Sequence, residues 1–387
     1  MGTVGLAQNF AALRALSTNG IQQNHMNLHA RSVASTAGVP DEIFESVVEG
    51  LIESGEIKVW KAQELTQQMT QQKLNPTASE RYSACGKIIL LGEHAVVYGR
   101  PAIALPIPLA VEATIQKKQS GKVNIVIPRW GLEQQVHAQT QGFGGILATI
   151  LRQLDLDQNH MNIEVFPHVP RAMGLGGSSA LAVAILRALN ATYALKLNDA
   201  EINTLAFECE KAAHGTPSGV DNTVATFGTP LWYQKSASAD AQPNFAELEL
   251  GTPLHLVVGI TGHASLTADT VARVRQAWQQ AATRYDTLFD QIADLTEQAK
   301  VALQQGQSAE VGELMNLCHG YLNALQLSTP ELEELIHIAR SNGALGAKLT
   351  GGGGGGSMIA LAADDDTQNQ IQQAMQQAGF DALLVSL

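Results

Sequence analysis

The sequence is poor in cysteine, in aromatic residues and in positive charge, and it has no long apolar run. Three cysteines, Cys85, Cys209 and Cys318, occur in 387 residues. They have no paired or metal-ligand spacing, which excludes a disulfide scaffold and fits a reducing compartment. Lys and Arg total 24 against 36 Asp and Glu, a net charge of −12. Nucleic acid and anionic membranes both reward a basic surface, so neither is an expected partner. No run of about 18 apolar residues occurs, so no membrane-crossing helix is expected. The start of the chain lacks a basic region followed by an apolar stretch, so no signal peptide is expected and the expected location is the cytoplasm. Two things are plentiful. Apolar residues make up 45% of the chain, enough for a substantial core. Glycine occurs 35 times, much of it in tight clusters, as in loops that approach a ligand.

The texture changes near residue 80. Residues 1–73 read as helices, at Val4–Leu16, Ile21–Thr36, Ile43–Glu53 and Lys61–Gln72, with Gly38, Gly55 and Pro40 at the breaks. Gln67–Ala78 is polar and contains Pro76, so it reads as a linker, and the linker proper is placed at 74–80. Beyond it, strand and helix patterns mix. Strands are expected at Tyr82–Leu91, Ile103–Ile115, Val123–Ile127, Ile163–Phe166, Leu254–Gly259, Ala344–Thr350, Ser357–Ala362 and Leu383–Leu387. Pro106 and Pro108 suggest that the second is an edge or bent strand. Helices are expected at 142–154, 179–195, 199–213, 266–285, 286–305, 309–325 and 368–378. The helix from Ser179 is apolar on nearly every side, so it should be buried. The expected fold class is α+β with two lobes, 81–235 and 236–387, behind a helical N-terminal extension.

Four clusters carry chemistry. The first, Pro170-Arg-Ala-Met-Gly-Leu-Gly-Gly-Ser-Ser-Ala-Leu, lies between a strand and the most apolar helix. Glycines there can turn backbone N–H groups toward one point, and the helix start adds free donors and a positive dipole end. Such a loop suits phosphate, with Ser178 and Ser179 as further hydroxyl ligands. No Lys follows the glycines as in a Walker A loop, and the dinucleotide G-x-G-x-x-G spacing is missing. The second, Lys348-Leu-Thr followed by six glycines and Ser357, is costly to order unless a ligand or backbone comes very close. The third is Lys87-Ile-Ile-Leu-Leu-Gly-Glu-His-Ala-Val-Val-Tyr-Gly, which puts Gly92, Glu93 and His94 at a strand end. The fourth is Glu210-Lys-Ala-Ala-His-Gly-Thr-Pro-Ser-Gly-Val-Asp-Asn, a helix running into a turn before Asp221 and Asn222. Read singly, each has a plain structural alternative. The glycine loops could be close-packed turns or a linker, His94 and His214 structural histidines, and Lys348 a charge at a strand end.

In this order, the four clusters resemble the GHMP kinase superfamily, and within it the mevalonate kinase family. The resemblance covers about Arg81–Leu387, and GEHAVVYG, PSGVDN and KLTGGGGGGS are its most specific parts. It implies ATP-dependent phosphorylation of mevalonate with Mg²⁺. It implies roles for Asp221 as catalytic base and for Lys87 as the group that lowers the acceptor hydroxyl's pKa and neutralises the transferring phosphoryl group. Gly174, Leu175, Gly176, Gly177, Ser178 and Ser179 match the nucleotide-phosphate loop. Ser178 and Glu210 match the Mg²⁺ ligands, while Glu93, His94 and Thr350 match substrate contacts. The family loop usually reads G-L-G-S-S-A, and here one glycine more precedes the serines, so Ser179 is the alternate hydroxyl ligand. Another GHMP kinase acting on a small hydroxy acid or on phosphomevalonate, or a non-catalytic ligand sensor on the same fold, is the competing expectation.

The N-terminal segment carries a second resemblance. Residues 5–38, GLAQNFAALRALSTNGIQQNHMNLHARSVASTAG, resemble the C-terminal end of bacterial-type hydroxymethylglutaryl-CoA reductases, over about Thr3–Gln72. The resemblance implies that His25 matches a flap histidine that protonates the departing CoA thiolate, with His29 following at i+4. The nicotinamide and thioester sites would lie on domains the family places before this segment. No reductase activity of this chain is therefore expected. A homodimer, and association with the rest of such a reductase, are the protein partners expected.

Overall fold

The computed structural model describes residues 29–40, 44–54, 56–74, 80–136, 143–214, 219–235, 244–265 and 267–387. The chain divides into two compact units at the Ser79–Glu80 bond.

The first unit is helical. Residues 29–36 form α1, which stops at Gly38 with a left-handed φ of 69°. Phe44–Ser54 forms α2 and Val59–Leu74 forms α3. Ala30, Ala34, Val47, Val48, Leu51 and Ala62 are buried together, a small core made largely of short side chains. The α3 helix runs on to Leu74, which corrects the reading of 67–74 as linker. Its Gln-rich turns carry no Gly or Pro, so nothing in them stops a helix. The helices expected at 4–16 and over 21–28, together with His25, lie outside the described residues.

The second unit holds two sheets. The larger has seven strands: β1 (Tyr82–Leu91), β2 (Pro101–Lys117), β3 (Asn124–Ile127), β4 (Leu132–Gln135), β5 (Met161–Pro167), β6 (Leu231–Gln234) and β7 (Asn244–Glu247). Their order is β4-β3-β5-β2-β6-β7, with β1 paired to β2. The smaller has β8 (His255–Ile260), β9 (Gly346–Thr350), β10 (Ser357–Ala362) and β11 (Asp381–Ser386), in the order β11-β8-β10-β9. The α+β class is as expected, and the first sheet takes β7 from beyond residue 235.

The long strand β2 is not the edge strand its prolines allowed, but it is irregular beside them. It is central, with β1 along one edge, and the β1–β2 register shifts between Ala84 and Gly86, where Leu109 has a left-handed φ of 55°. On the other edge, β6 pairs with residues 101–104 and β5 with 111–117. Pro106 and Pro108 fall in the gap, where no strand asks that edge for a backbone N–H.

Helices α4 (Phe143–Gln153), α5 (Gly177–Tyr193), α6 (Asp199–His214) and α7 (Val220–Phe227) lie among the strands of the first sheet in sequence. Ten residues of α5 between Ser179 and Leu189 are buried, because it packs on β1 and β2 and is covered by α6 and α7. In the second half, α8 (Thr267–Gln280), α9 (Ala282–Gln304), α10 (Ser308–Ala324), α11 (Pro330–Ser341) and α12 (Asp365–Gln377) follow. The α8–α9 break falls at Ala281, whose backbone leaves the helical region, and Trp278 Nε1 donates across it to Asp286 Oδ1 at 3.1 Å. The α11 helix was not expected, although Thr329-Pro330-Glu331 is a sound start signal. The Thr329 side chain caps Leu332 N–H, Pro330 stands in the first turn, and acids follow.

Candidate active site

The site is assembled on the end of β1. Gly86 lies on the first glycine loop so closely that a Cβ there would meet the Leu175 carbonyl oxygen at 2.8 Å. Lys87 N–H donates to that same oxygen at 2.9 Å. Gly176, with a φ of 70°, sits against Lys87, where a Cβ would approach its backbone N to 3.1 Å. Glycine at both places lets strand and loop touch, and this sets Lys87 beside the start of α5.

The α5 helix begins at Gly177 with no side-chain cap, so its first N–H groups and its positive dipole end are open to an anion. Ser178 is exposed there. Ser179 is buried, and its Oγ has no hydrogen-bond partner among the described residues. Helices α5 and α6 form an antiparallel pair through a five-residue turn. Asn190 clasps that turn, accepting from Leu197 N–H and donating to Leu197 O, both at 2.9 Å. The hairpin turns α6 back along α5 toward the end where α5 starts, with Glu210 on the last turns of α6. Glu210 is 5% exposed.

Asp221 stands in the first turn of α7, a helix the sequence reading did not mark after its turn. Gly219, at a φ of 87°, supplies the left-handed start, and Asn222 Nδ2 anchors the helix to Asn203 Oδ1 at 2.6 Å. The α7 helix packs on β1, and Lys87 Nζ meets Asp221 Oδ1 at 2.8 Å. The residues 215–218 before it lie outside the described residues, and His214 is described for its backbone alone.

The second glycine run closes the site from the other sheet. It connects β9 to β10, and five of its six glycines have positive φ. Gly354 N–H donates to Leu327 O and Gly356 N–H to His263 O, both at 2.8 Å. It packs on the first loop. Ser357 Oγ donates to Met173 O at 3.1 Å, and Ser265 N–H to Ala172 O at 2.9 Å.

Glu93, His94 and Thr350 are all brought to this region, and each has a polar atom engaged by protein. Thr350 Oγ1 accepts from Ile89 N–H at 3.0 Å and donates to Ile89 O at 2.9 Å. His94 Nε2 contacts Gly352 O at 3.0 Å. Glu93 Oε1 is paired with Lys348 Nζ. Burial pushes the Glu93 carboxyl up against the pull of Lys348, and burial holds the His94 ring below its ordinary value. Lys348 is corrected from a strand-end charge to a fully buried one. No spacing signals this, because its partner is 255 residues away.

Among the described residues, no three His, Cys, Asp or Glu side chains gather as a metal site. A cation here would draw on few protein ligands, with phosphate oxygens and water completing its shell, which suits Mg²⁺. A glycine loop at a helix start with a Lys–Asp pair beside it is an arrangement suited to phosphoryl transfer.

The comparisons agree. The profile of the GHMP kinases N terminal domain matches residues 143–229, and that of the GHMP kinases C terminal matches residues 299–381. The chain belongs to the GHMP kinases, and it is a kinase. Within them it belongs to the mevalonate kinase family. It is 34% identical over 291 residues to the mevalonate kinase of Thermococcus sibiricus, covering 70% of this chain and 85% of that protein. It is 35% identical over 290 residues to that of Pyrococcus horikoshii, covering 70% and 84%. Its fold matches the L. major mevalonate kinase solved with R-mevalonate, at a TM-score of 0.69 and 33% identity, covering 80% of this chain and 96% of that one.

Proposed function

We propose that this chain transfers the γ-phosphoryl group of ATP to the C5 hydroxyl of mevalonate, giving 5-phosphomevalonate and ADP. The observation that carries the proposal is the Lys87–Asp221 pair at the mouth of the phosphate loop, in a chain whose relatives are mevalonate kinases. The triphosphate lies on the N–H groups of Gly174–Ser179 at the start of α5. Asp221 Oδ1 takes the hydroxyl proton as the oxygen attacks phosphorus. Lys87 Nζ, already on Asp221, stabilises the developing alkoxide and the equatorial oxygens of the phosphoryl group. Because both groups stand in place before substrate arrives, the site spends little on reorganisation in the transition state.

The donor set fits Mg²⁺. Ser178 and Glu210 offer hard oxygens at one end of the α5–α6 pair, and the orphaned Ser179 Oγ beside them is a second hydroxyl. Bound there, Mg²⁺ would neutralise phosphate charge. Glu93, His94 and Thr350 shape the acceptor pocket, which the second glycine run closes.

The lobe boundary expected at 235/236 leaves β7, a strand of the first sheet, on its far side. The helical unit resembles the end of a bacterial-type hydroxymethylglutaryl-CoA reductase, joined here to the kinase. Association with the other domains of such a reductase, a homodimer of the kinase and a cytoplasmic location complete this reading. No helix among the described residues is long and apolar enough to cross a membrane.

The deciding experiment incubates the purified chain with R-mevalonate, ATP and Mg²⁺ and follows 5-phosphomevalonate directly. Absence of product from folded protein overturns the proposal. Turnover of phosphomevalonate instead would move the chain to a neighbouring GHMP activity.

A further inference from the structure

The end of β1 and the end of β9 come from different sheets and meet at a buried seam. Three side chains cross it, from Thr350 to Ile89, from His94 to Gly352 and from Lys348 to Glu93. Lys348 is fully buried and Glu93 is 2% exposed. Nζ of Lys348 also donates to Leu349 O at 2.8 Å, which fixes it on its own strand.

The backbone that Lys348 holds is in an unusual shape. Gly92 has a φ of 101°, and a Cβ there would come within 2.4 Å of the Ala102 Cα. Two residues later His94 adopts a φ of 59° and ψ of −45°, a region a residue with a Cβ avoids. Such a conformation persists only when its surroundings over-determine it. The amides that follow are committed to the same turn, with Ala95 N–H on Glu93 O and Val96 N–H on Gly92 O.

Stability alone is a poor reason for this pair. A buried ion pair seldom outperforms apolar residues of the same volume. One kept for stability would also satisfy both carboxylate oxygens, yet Glu93 Oε2 is buried without a partner among the described residues.

We propose that Lys348 is a positioning residue, which through Glu93 clamps the Gly92–His94 turn against the second glycine run and so fixes the acceptor side of the site. It touches no reacting atom. This inference rests on the kinase reading above and adds to it a residue that acts from the second sheet.

The test compares Lys348→Met, Glu93→Gln and the double variant Glu93→Gln/Lys348→Met. Each single variant strands a buried group and should lower the melting temperature. The double variant removes both charges at nearly equal volume and should recover it. Three readouts on the double variant then decide. Amide exchange in peptides covering Gly92–Tyr98 and Gly351–Gly356 should quicken by about tenfold. The KM for mevalonate should rise by about tenfold, while that for ATP moves by less than about twofold. A double variant with wild-type melting, wild-type exchange at both peptides and wild-type KM for mevalonate overturns the positioning role. Should the wild-type chain fail to phosphorylate mevalonate, the functional reading falls by itself, and the exchange measurement still decides whether Lys348 holds the turn.

Discussion

Lys87 Nζ lies 2.8 Å from Asp221 Oδ1, an ion pair between a strand and the first turn of a helix 134 positions later. It is held from three sides. The Leu175 carbonyl fixes the Lys87 backbone, Gly176 leaves room beside it, and the Asn222–Asn203 bond fixes α7. Both partners are partly exposed, Lys87 at 12% and Asp221 at 35% of their side chains.

Removing either partner should therefore damage turnover without unfolding the protein. Asp221→Asn and Lys87→Met are each expected to lower kcat by at least about 100-fold, the usual scale for a positioned base or charge stabiliser. Steady-state kinetics alongside a melting curve checks this. Near-normal kcat in Asp221→Asn would remove the base assignment.

The two serines at the start of α5 separate by environment. Ser178→Ala and Glu210→Gln should each raise the Mg²⁺ concentration needed for half-maximal activity by about tenfold. Ser179→Ala removes a buried hydroxyl that has no partner, so it should leave the melting temperature unchanged or raise it. The Mg²⁺ dependence of the three variants is the measurement. Should Ser179→Ala shift the Mg²⁺ requirement and Ser178→Ala not, the hydroxyl ligand is Ser179.

Acid should weaken the fold through its buried histidines first. Burial holds His94 and His319 below the ordinary 6.5. As pH falls through about 6.5 the unfolded chain takes up protons that the folded one refuses, so stability drops with pH in that range. The lowered carboxyls Glu331 and Glu333 act in the same direction as the histidines, and the raised Glu93 carboxyl acts against them, since burial of its charge is relieved as it takes up a proton. The melting temperature should therefore be lower at about pH 5.5 than at about pH 7.5, and His319→Asn should narrow the difference. Equal melting temperatures at the two values, in wild type, would contradict this.

The helical unit should be dispensable for the kinase. Its core is separate, built on Ala30, Ala34, Val47, Val48, Leu51 and Ala62, and the mevalonate kinase relatives align with about 70% of this chain. Removal of residues 1–79 is expected to leave kcat and KM for mevalonate within about twofold. Loss of most activity or of folding would make the segment part of the kinase.

The sequence by itself determined the parts of this protein that depend on near neighbours. The limits of β1 and β10 and the buried nature of α5 follow from runs of apolar residues, and the phosphate loop follows from glycines placed before an apolar helix. These features are local, because backbone conformation and hydrophobic pattern act over a few residues. The tertiary structure decided the rest. Pro106 and Pro108 lie inside a central strand because β5 and β6 stop short of them, and no local pattern reveals where a partner strand ends. Asp221 reaches Lys87 because α7 packs on β1. Lys348 is buried rather than exposed because Glu93, 255 residues earlier in the chain, supplies the charge that makes its burial tolerable. Whether a charge is solvated or paired depends on what lies across the fold, and that is fixed when distant segments pack.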